Sequence, residues 1–260
     1  QIAGPDMSLR VAAVQHDIVW EDPETNFQKL RPQIKDAADN GAQLVVLSEM
    51  FSTGFTMNSA KCAEALDGAS HKFLLDQATE YQIWITGSVP TRWEDGIAYN
   101  TLNLLAPSGE TYRYKKIHPF SFSAEPENYG AGTEFLQVDI EGTRTTFFIC
   151  YDLRFADEFW QTAQSTDLFV IPANWPAGRK MHWQTLLQAR AIENQAYVLG
   201  VNRVGDGDGL SYAGDSALID PWGETVFKGA SEETLLLGDV DAEVAAQTRA
   251  TFPVFHDRRN

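Results

Sequence analysis

Short apolar runs outnumber helical ones along almost the whole of this chain, and that excess of strand is what most restricts its fold. Leu9–Gln15 (LRVAAVQ) and Leu44–Leu47 are nearly continuous apolar runs, as expected of strands covered on both faces. Further strands are expected at Ile83–Val89, Ala98–Leu105, Thr111–Lys116, Glu134–Ile140, Arg144–Ile149, Leu168–Ile171, Ala196–Val201, Ser211–Ile219, Glu224–Phe227 and Glu233–Asp239. Pro107-Ser108-Gly109, Glu141-Gly142 and Asp220-Pro221-Trp222-Gly223 read as turns between some of them. Asp22 and Pro23 suit the cap and first turn of a helix that carries Phe27, Leu30, Ile34 and Ala38 on one face and stops near Gly41. Pro32 conflicts with it and should kink it. Ser70–Tyr81, Ala156–Gln164 and Met181–Gln195 are the other helical stretches. One simple wound sheet cannot use so many strands with so few helices. Two sheets packed face to face, with the helices outside, would cover all this apolar surface.

A chain of 260 residues with 43% hydrophobic residues can bury a sizeable core. No apolar stretch approaches the length of a membrane span. Residues 1–8 lack the basic start and apolar region of a signal peptide and read as an extraneous remnant, leaving 9–260 as one domain. The formal charge of −16 argues against nucleic acid and anionic membrane surfaces as partners, because both require clustered Lys and Arg. Only Cys62 and Cys150 are available for disulfides, which points to a reducing, cytoplasmic compartment. The scattered histidines show no metal-site spacing, so no metal is expected.

Three segments place a polar group where a strand runs out. Glu49 ends the apolar run Val45-Val46-Leu47, either as a loop carboxylate or as a general base whose pKa is raised by desolvation. Strand alternation puts Lys115 and Lys116 on opposite faces, so one of them points inward and needs a carboxylate partner. Cys150 follows Phe147-Phe148-Ile149 and precedes Tyr151-Asp152-Leu153-Arg154. It is either a small core hydrophobe or a nucleophile held rigidly at a strand mouth.

Together, Leu47-Ser48-Glu49-Met50-Phe51, Tyr114-Lys115-Lys116-Ile117-His118 and Phe148-Ile149-Cys150-Tyr151-Asp152-Leu153-Arg154-Phe155 resemble the nitrilase superfamily of carbon–nitrogen hydrolases. The resemblance runs from about Leu9 to about Val240. It implies a four-layer α-β-β-α sandwich, and a catalytic triad of Glu49, Lys116 and Cys150. It also implies a second glutamate at Glu125, with Glu127 a nearby competitor. Family members commonly pair through helices, so a homodimer or larger homo-oligomer is implied. The stretch Pro172-Ala173-Asn174-Trp175-Pro176-Ala177-Gly178-Arg179, with His182-Trp183 and Arg190-Ala191-Ile192-Glu193-Asn194, is similar to the ω-amidase branch. That branch acts on 2-oxoglutaramate and related monoamides of dicarboxylic acids. Arg190 and Asn194 lie four apart on a helix and are expected to tie it to neighbouring strands.

The resemblance implies acyl transfer through a thioester with no cofactor, the partner being a small amide substrate. Lys116 and the backbone N–H of Tyr151 would hold the oxyanion. Arg154 and Arg179 are each candidates for the substrate carboxylate, or else structural ion pairs, while Trp175 and Phe120 would wall the pocket. A low-pKa sulfur at Cys150 should alkylate quickly near neutral pH. An N-carbamoyl amidase, an aliphatic amidase, a nitrilase or a non-catalytic binding module on the same fold are the alternatives.

Overall fold

A computed structural model describes residues 7–259; most of the expected N-terminal remnant, residues 1–6, lies outside it. The elements in chain order are β1 (Leu9–Gln15), α1 (Pro23–Asp39), β2 (Leu44–Val46), α2 (Ser59–Cys62), α3 (Ala69–Tyr81), β3 (Trp84–Arg92), β4 (Ala98–Leu105) and β5 (Thr111–Lys115). There follow α4 (Glu125–Asn128), β6 (Leu136–Ile140), β7 (Thr143–Phe147), α5 (Ala156–Thr162), β8 (Leu168–Ala173) and α6 (Lys180–Asn194). The chain continues with β9 (Tyr197–Asn202), β10 (Val204–Gly207), β11 (Leu210–Ala213), β12 (Ala217–Ile219), β13 (Thr225–Lys228), β14 (Thr234–Val240) and α7 (Ala242–Thr251).

Two mixed sheets result, in the orders β14-β1-β2-β3-β4-β5 and β13-β12-β9-β8-β7-β6. Each has parallel strands at its centre (β1, β2, β3 and β7, β8, β9) and antiparallel strands outside them. Strand alternation divides the apolar residues between layers. Val11, Ala13, Leu44 and Val46 point into the core between the sheets. Ala12, Val14, Val45 and Leu47 point outward against Phe27, Leu30 and Ile34 of α1 and Phe73 and Leu74 of α3. On the other side α5 and α6 cover the second sheet, with the Phe159 ring tilted against those of Phe148 and Phe169 and with Trp183 fully buried. Gly200 in β9 is what lets α6 sit so close: a Cβ there would come within 2.7 Å of Leu187 and Trp183. The fold is the expected α-β-β-α sandwich.

Several local expectations change. The α1 cap is as read, with Asp22 Oδ1 accepting from the Thr25 N–H at 3.2 Å, but Ala37 rather than Ala38 completes the buried face. Pro32 does not end the helix. It lies on the exposed face, as does Gln28, so water can take the place of the N–H that a proline cannot offer to the Gln28 carbonyl. Ser211–Ile219 is two strands, not one, broken where Gly214 and Asp215 take φ of +71° and +56°. The turn packs on Gln15 so tightly that a side chain at Gly214 would collide with it. The strand β10, its pairing with β11 through the turn at Asp208-Gly209, and the helix α7 are not among the expected elements.

Candidate active site

The carboxyl ends of the central strands from both sheets meet at one place. Past β2 the chain stays beside β3 through the Leu47 N–H donating to Thr86 O at 2.8 Å. It then turns at Met50, whose φ is +45°. That leaves Glu49 with no exposed surface. At the end of β5 the two lysines part as alternation requires. Lys115 lies over the rings of Trp93 and Tyr99, 4.0 Å from each, and Lys116 is buried.

The Lys116 ammonium donates to Glu49 Oε1 and to Glu125 Oε2, both at 2.9 Å. Glu125 is fully buried on the single turn of α4 whereas Glu127 is exposed, which settles which of the two joins the cluster. Asn100 on β4, which sequence reasoning did not single out, donates through Nδ2 to Glu49 Oε1 at 2.8 Å and Glu125 Oε1 at 3.2 Å. The Phe120 and Asn174 N–H groups complete the set, donating to Glu125 Oε2 at 2.7 Å and Glu49 Oε2 at 2.9 Å. Burial opposes the charge on Lys116, but Glu125 and Glu49 outweigh it and hold the ammonium protonated well into alkaline pH. Burial raises the Glu125 carboxyl, with Lys116 pulling it down and Glu49 pushing it up. Desolvation of each charge is offset by the others.

Cys150 opens a short 3-10 turn, Cys150–Arg154, with a φ of +44°, a conformation uncommon for any residue but glycine. Asp152 holds that turn. Its Oδ2 accepts from the Ile149 N–H at 2.9 Å and the Tyr114 hydroxyl at 2.6 Å. Its Oδ1 accepts from the His118 N–H at 2.9 Å and lies 2.9 Å from His118 Nδ1. One carboxylate therefore ties the residue before Cys150 to residues on either side of Lys116. The thiol donates to Asn174 O at 3.8 Å, with the Glu49 carboxylate close enough for its charge to act on the sulfur. Burial and the Glu49 charge push its pKa well up, against the pull of Lys116. This direction runs against the expected low-pKa sulfur.

Above the sulfur lies a cavity of about 270 Å³. Lys116, Cys150 and Asn174 line its buried end, while Phe120, Tyr151, Trp175 and Tyr212 wall it. Arg154 and Arg179 stand further out, with Asp208 and Leu210 from the β10–β11 ribbon. Glu49 and Glu125 lie behind Lys116, off the lining. Arg154 sits over Trp175 at 4.8 Å and bonds His182 Nδ1 at 3.0 Å, and Arg179 sits over Phe120 at 5.4 Å. Among the described residues neither guanidinium has a carboxylate partner within salt-bridge distance, so the structural ion pairs held open for them are not there. Burial, then the like charge of Arg179, lowers the Arg154 pKa. Arg190 does act structurally, but it ties α6 to the nucleophile turn through Leu153 O at 3.1 Å rather than to a strand, and pairs with Glu193 at 2.9 Å. Asn194 bonds back to Arg190 O within the helix.

Among the described residues no group of three or more His, Cys, Asp or Glu is placed to hold a metal ion, and no helix is long and apolar enough to cross a membrane.

Comparison with known proteins agrees with this geometry. The family model described as carbon-nitrogen hydrolase matches residues 10–250. An omega-amidase of Yersinia enterocolitica is 40% identical, over 96% of this chain and 96% of its own. A 2-oxoglutaramate amidase of Bacillus subtilis is 32% identical, over 97% and 98%. Among solved structures, a CN-hydrolase superfamily protein of Xanthomonas campestris, with an arsenic adduct in its active site, superposes with a TM-score of 0.92. It is 37% identical, covering 97% of this chain and 98% of that one.

Proposed function

Because this chain belongs to the carbon–nitrogen hydrolase family, we propose that it is an ω-amidase, hydrolysing the terminal amide of a small dicarboxylic acid monoamide such as 2-oxoglutaramate. The observation that carries the reading is the division of the cavity: a thiol beside a Glu–Lys–Glu cluster at the buried end, and two guanidiniums without carboxylate partners further out. An amide carbon at the sulfur would leave a terminal carboxylate facing Arg154 and Arg179. The relatives named for ω-amidase and 2-oxoglutaramate amidase activity support that choice of substrate.

The donor and acceptor count assigns the roles. Glu49 has three of roughly four lone-pair positions taken, by Asn100, Lys116 and the Asn174 N–H, which leaves one for the thiol proton. It accepts that proton as the sulfur attacks the amide carbonyl. Lys116 has two of its three N–H groups committed to the glutamates and the third free for the developing oxyanion, which the Tyr151 N–H also serves. Glu49 then gives the proton to the leaving nitrogen, so that ammonia departs and the acyl group stays on Cys150 as a thioester. Water, deprotonated by Glu49, hydrolyses the thioester and restores the thiol. Glu125 keeps Lys116 aimed and fixes the Phe120 backbone. A raised thiol pKa suits this cycle, since the base then acts only when the amide, the acyl donor, is present.

Ammonia release from 2-oxoglutaramate, an N-carbamoyl amine, a neutral aliphatic amide and a nitrile tests the substrate class. The dicarboxylic monoamide should give the highest kcat/KM, and a higher value for any of the others would displace the reading. A single domain over 9–260, cytoplasmic residence, and assembly as a homodimer or larger homo-oligomer belong to the same proposal. Light scattering in solution tests the last of these.

A further inference from the structure

Asn174 carries a feature that the roles above do not use. The residue is only 4% exposed and lines the reacting end of the cavity. Its backbone is committed on both sides, the N–H to Glu49 Oε2 and the carbonyl to the Cys150 thiol. Yet neither polar atom of its side chain, Oδ1 or Nδ2, has a hydrogen-bond partner among the described residues. Burying a carboxamide without partners is costly, and such a group at a site wall is a group reserved for a ligand.

The ligand atoms it faces follow from the thioester mechanism, on which this inference rests. A primary amide entering the buried end brings one carbonyl oxygen and two N–H groups. The oxygen is served by donors, Lys116 Nζ and the Tyr151 N–H. The N–H groups need acceptors, because the surrounding walls are largely aromatic. Glu49 cannot supply them: its remaining lone pair takes the thiol proton. The Asn174 backbone carbonyl faces the sulfur and accepts the thiol proton at rest, which leaves it one lone pair. Oδ1 of the same residue is a further acceptor without a partner, on a residue that lines this end of the cavity.

We propose that Asn174 contacts the substrate and accepts a hydrogen bond from the NH2 of the scissile amide, making the acylation step selective for primary amides over esters of the same acid. During that step the C–N bond breaks, the C–S bond forms, and the thiol proton passes through Glu49 to the nitrogen. Asn174 Oδ1 holds the nitrogen with its lone pair turned toward Glu49 as this occurs. An ester's leaving oxygen has no hydrogen to offer Oδ1. It therefore gains nothing from the residue, although it passes through the same thioester.

The test compares the amide and the methyl ester of one acyl group in the wild-type protein and in Asn174→Ala and Asn174→Leu. Because kcat/KM reports events through acylation, the shared hydrolysis of the thioester drops out. The expected result is a fall of about 10- to 100-fold for the amide with the ester within about twofold of wild type. The side chain has no protein partner to lose, and Asn174→Leu fills the space that Asn174→Ala empties, so the pair separates loss of the acceptor from loss of packing. Equal falls for amide and ester would show that Asn174 acts only by placing Glu49 and Cys150, and would overturn the proposal. So would no fall for either. If wild type prefers some other amide to 2-oxoglutaramate, the substrate reading fails, but the same comparison run on that amide and its ester still decides the role of Asn174.

Discussion

The two ends of the cavity treat charge in opposite ways. At the buried end Lys116, Glu49 and Glu125 have fixed partners within 2.9 Å and are closed off from water. Further out, Arg154 and Arg179 rest on aromatic faces, with no carboxylate within salt-bridge distance among the described residues although Asp208 lines the same wall, and the charge of Arg179 bears on Arg154. A buried ion cluster is set by its own geometry and tolerates no missing member. Unpaired guanidiniums on a cavity wall are held in place by stacking and remain available to a planar anion. On the proposed function the first set does chemistry and the second recognition, and the two ends should then fail differently when mutated.

The largest expected effects are at the buried end. Cys150→Ala should lower turnover by at least about 10^4-fold while the protein melts near the wild-type temperature, because a small apolar residue replaces a neutral thiol. Lys116→Met should be as inactive but should also lose about 3–5 kcal/mol of stability, since it strands two buried carboxylates. Ammonia release and denaturant unfolding of both variants check this pair. Equal stability for the two would mean that the cluster is not the closed unit described here.

Much of that end was legible from the chain. Apolar runs stopping at Glu49 and Cys150 marked strand mouths, and period-two alternation required one of the adjacent lysines to face inward. The motif resemblance then chose Lys116 and supplied the order of the triad. Other parts depend on contacts between distant segments that no local pattern encodes. Glu125 and Glu127 differ only in which side of one helical turn is packed. Asn100 and Asn174 matter through carboxylates that are 51 and 125 residues away in the chain. The raised pKa of Cys150 arises from tertiary burial beside Glu49, which a motif of correct residues does not report. In α7 only Ala245 is buried, so its apolar period was too weak to mark a helix, and the short polar ribbon β10–β11 announced itself only by Asp208-Gly209.

Next in size is the recognition end. Arg154→Ala and Arg179→Ala should each reduce kcat/KM for a carboxylate-bearing amide by roughly 10- to 100-fold, chiefly through KM, and leave a neutral amide of similar length within about threefold. Unfolding free energies should move by less than about 0.5 kcal/mol, because no ion pair is broken. Steady-state kinetics on the two amides reads the result. Parallel losses on both substrates would return these arginines to a structural role and erase the contrast between the ends.

The smallest effect concerns protons and sharpens the contrast from the buried side. Burial and the charge of Glu49 raise the Cys150 pKa above its ordinary 9.0, so the folded protein keeps the thiol proton at pH values where the unfolded chain releases it. Between those two pKa values the native state binds more protons than the unfolded one, and stability falls as pH rises. The contribution is therefore whole below about pH 9 and is lost progressively above it. Lys116, whose pKa is also raised, adds a loss of the same sign, which begins only above its ordinary 10.5. In melts from about pH 8 to about pH 10, Cys150→Ala should lose less melting temperature than wild type, by a few degrees. Iodoacetamide should modify wild-type Cys150 slowly near pH 7, and the rate should climb with pH beyond the range of an ordinary thiol. Rapid modification at neutral pH would mean a resting thiolate, and Glu49 would then have no thiol proton to accept.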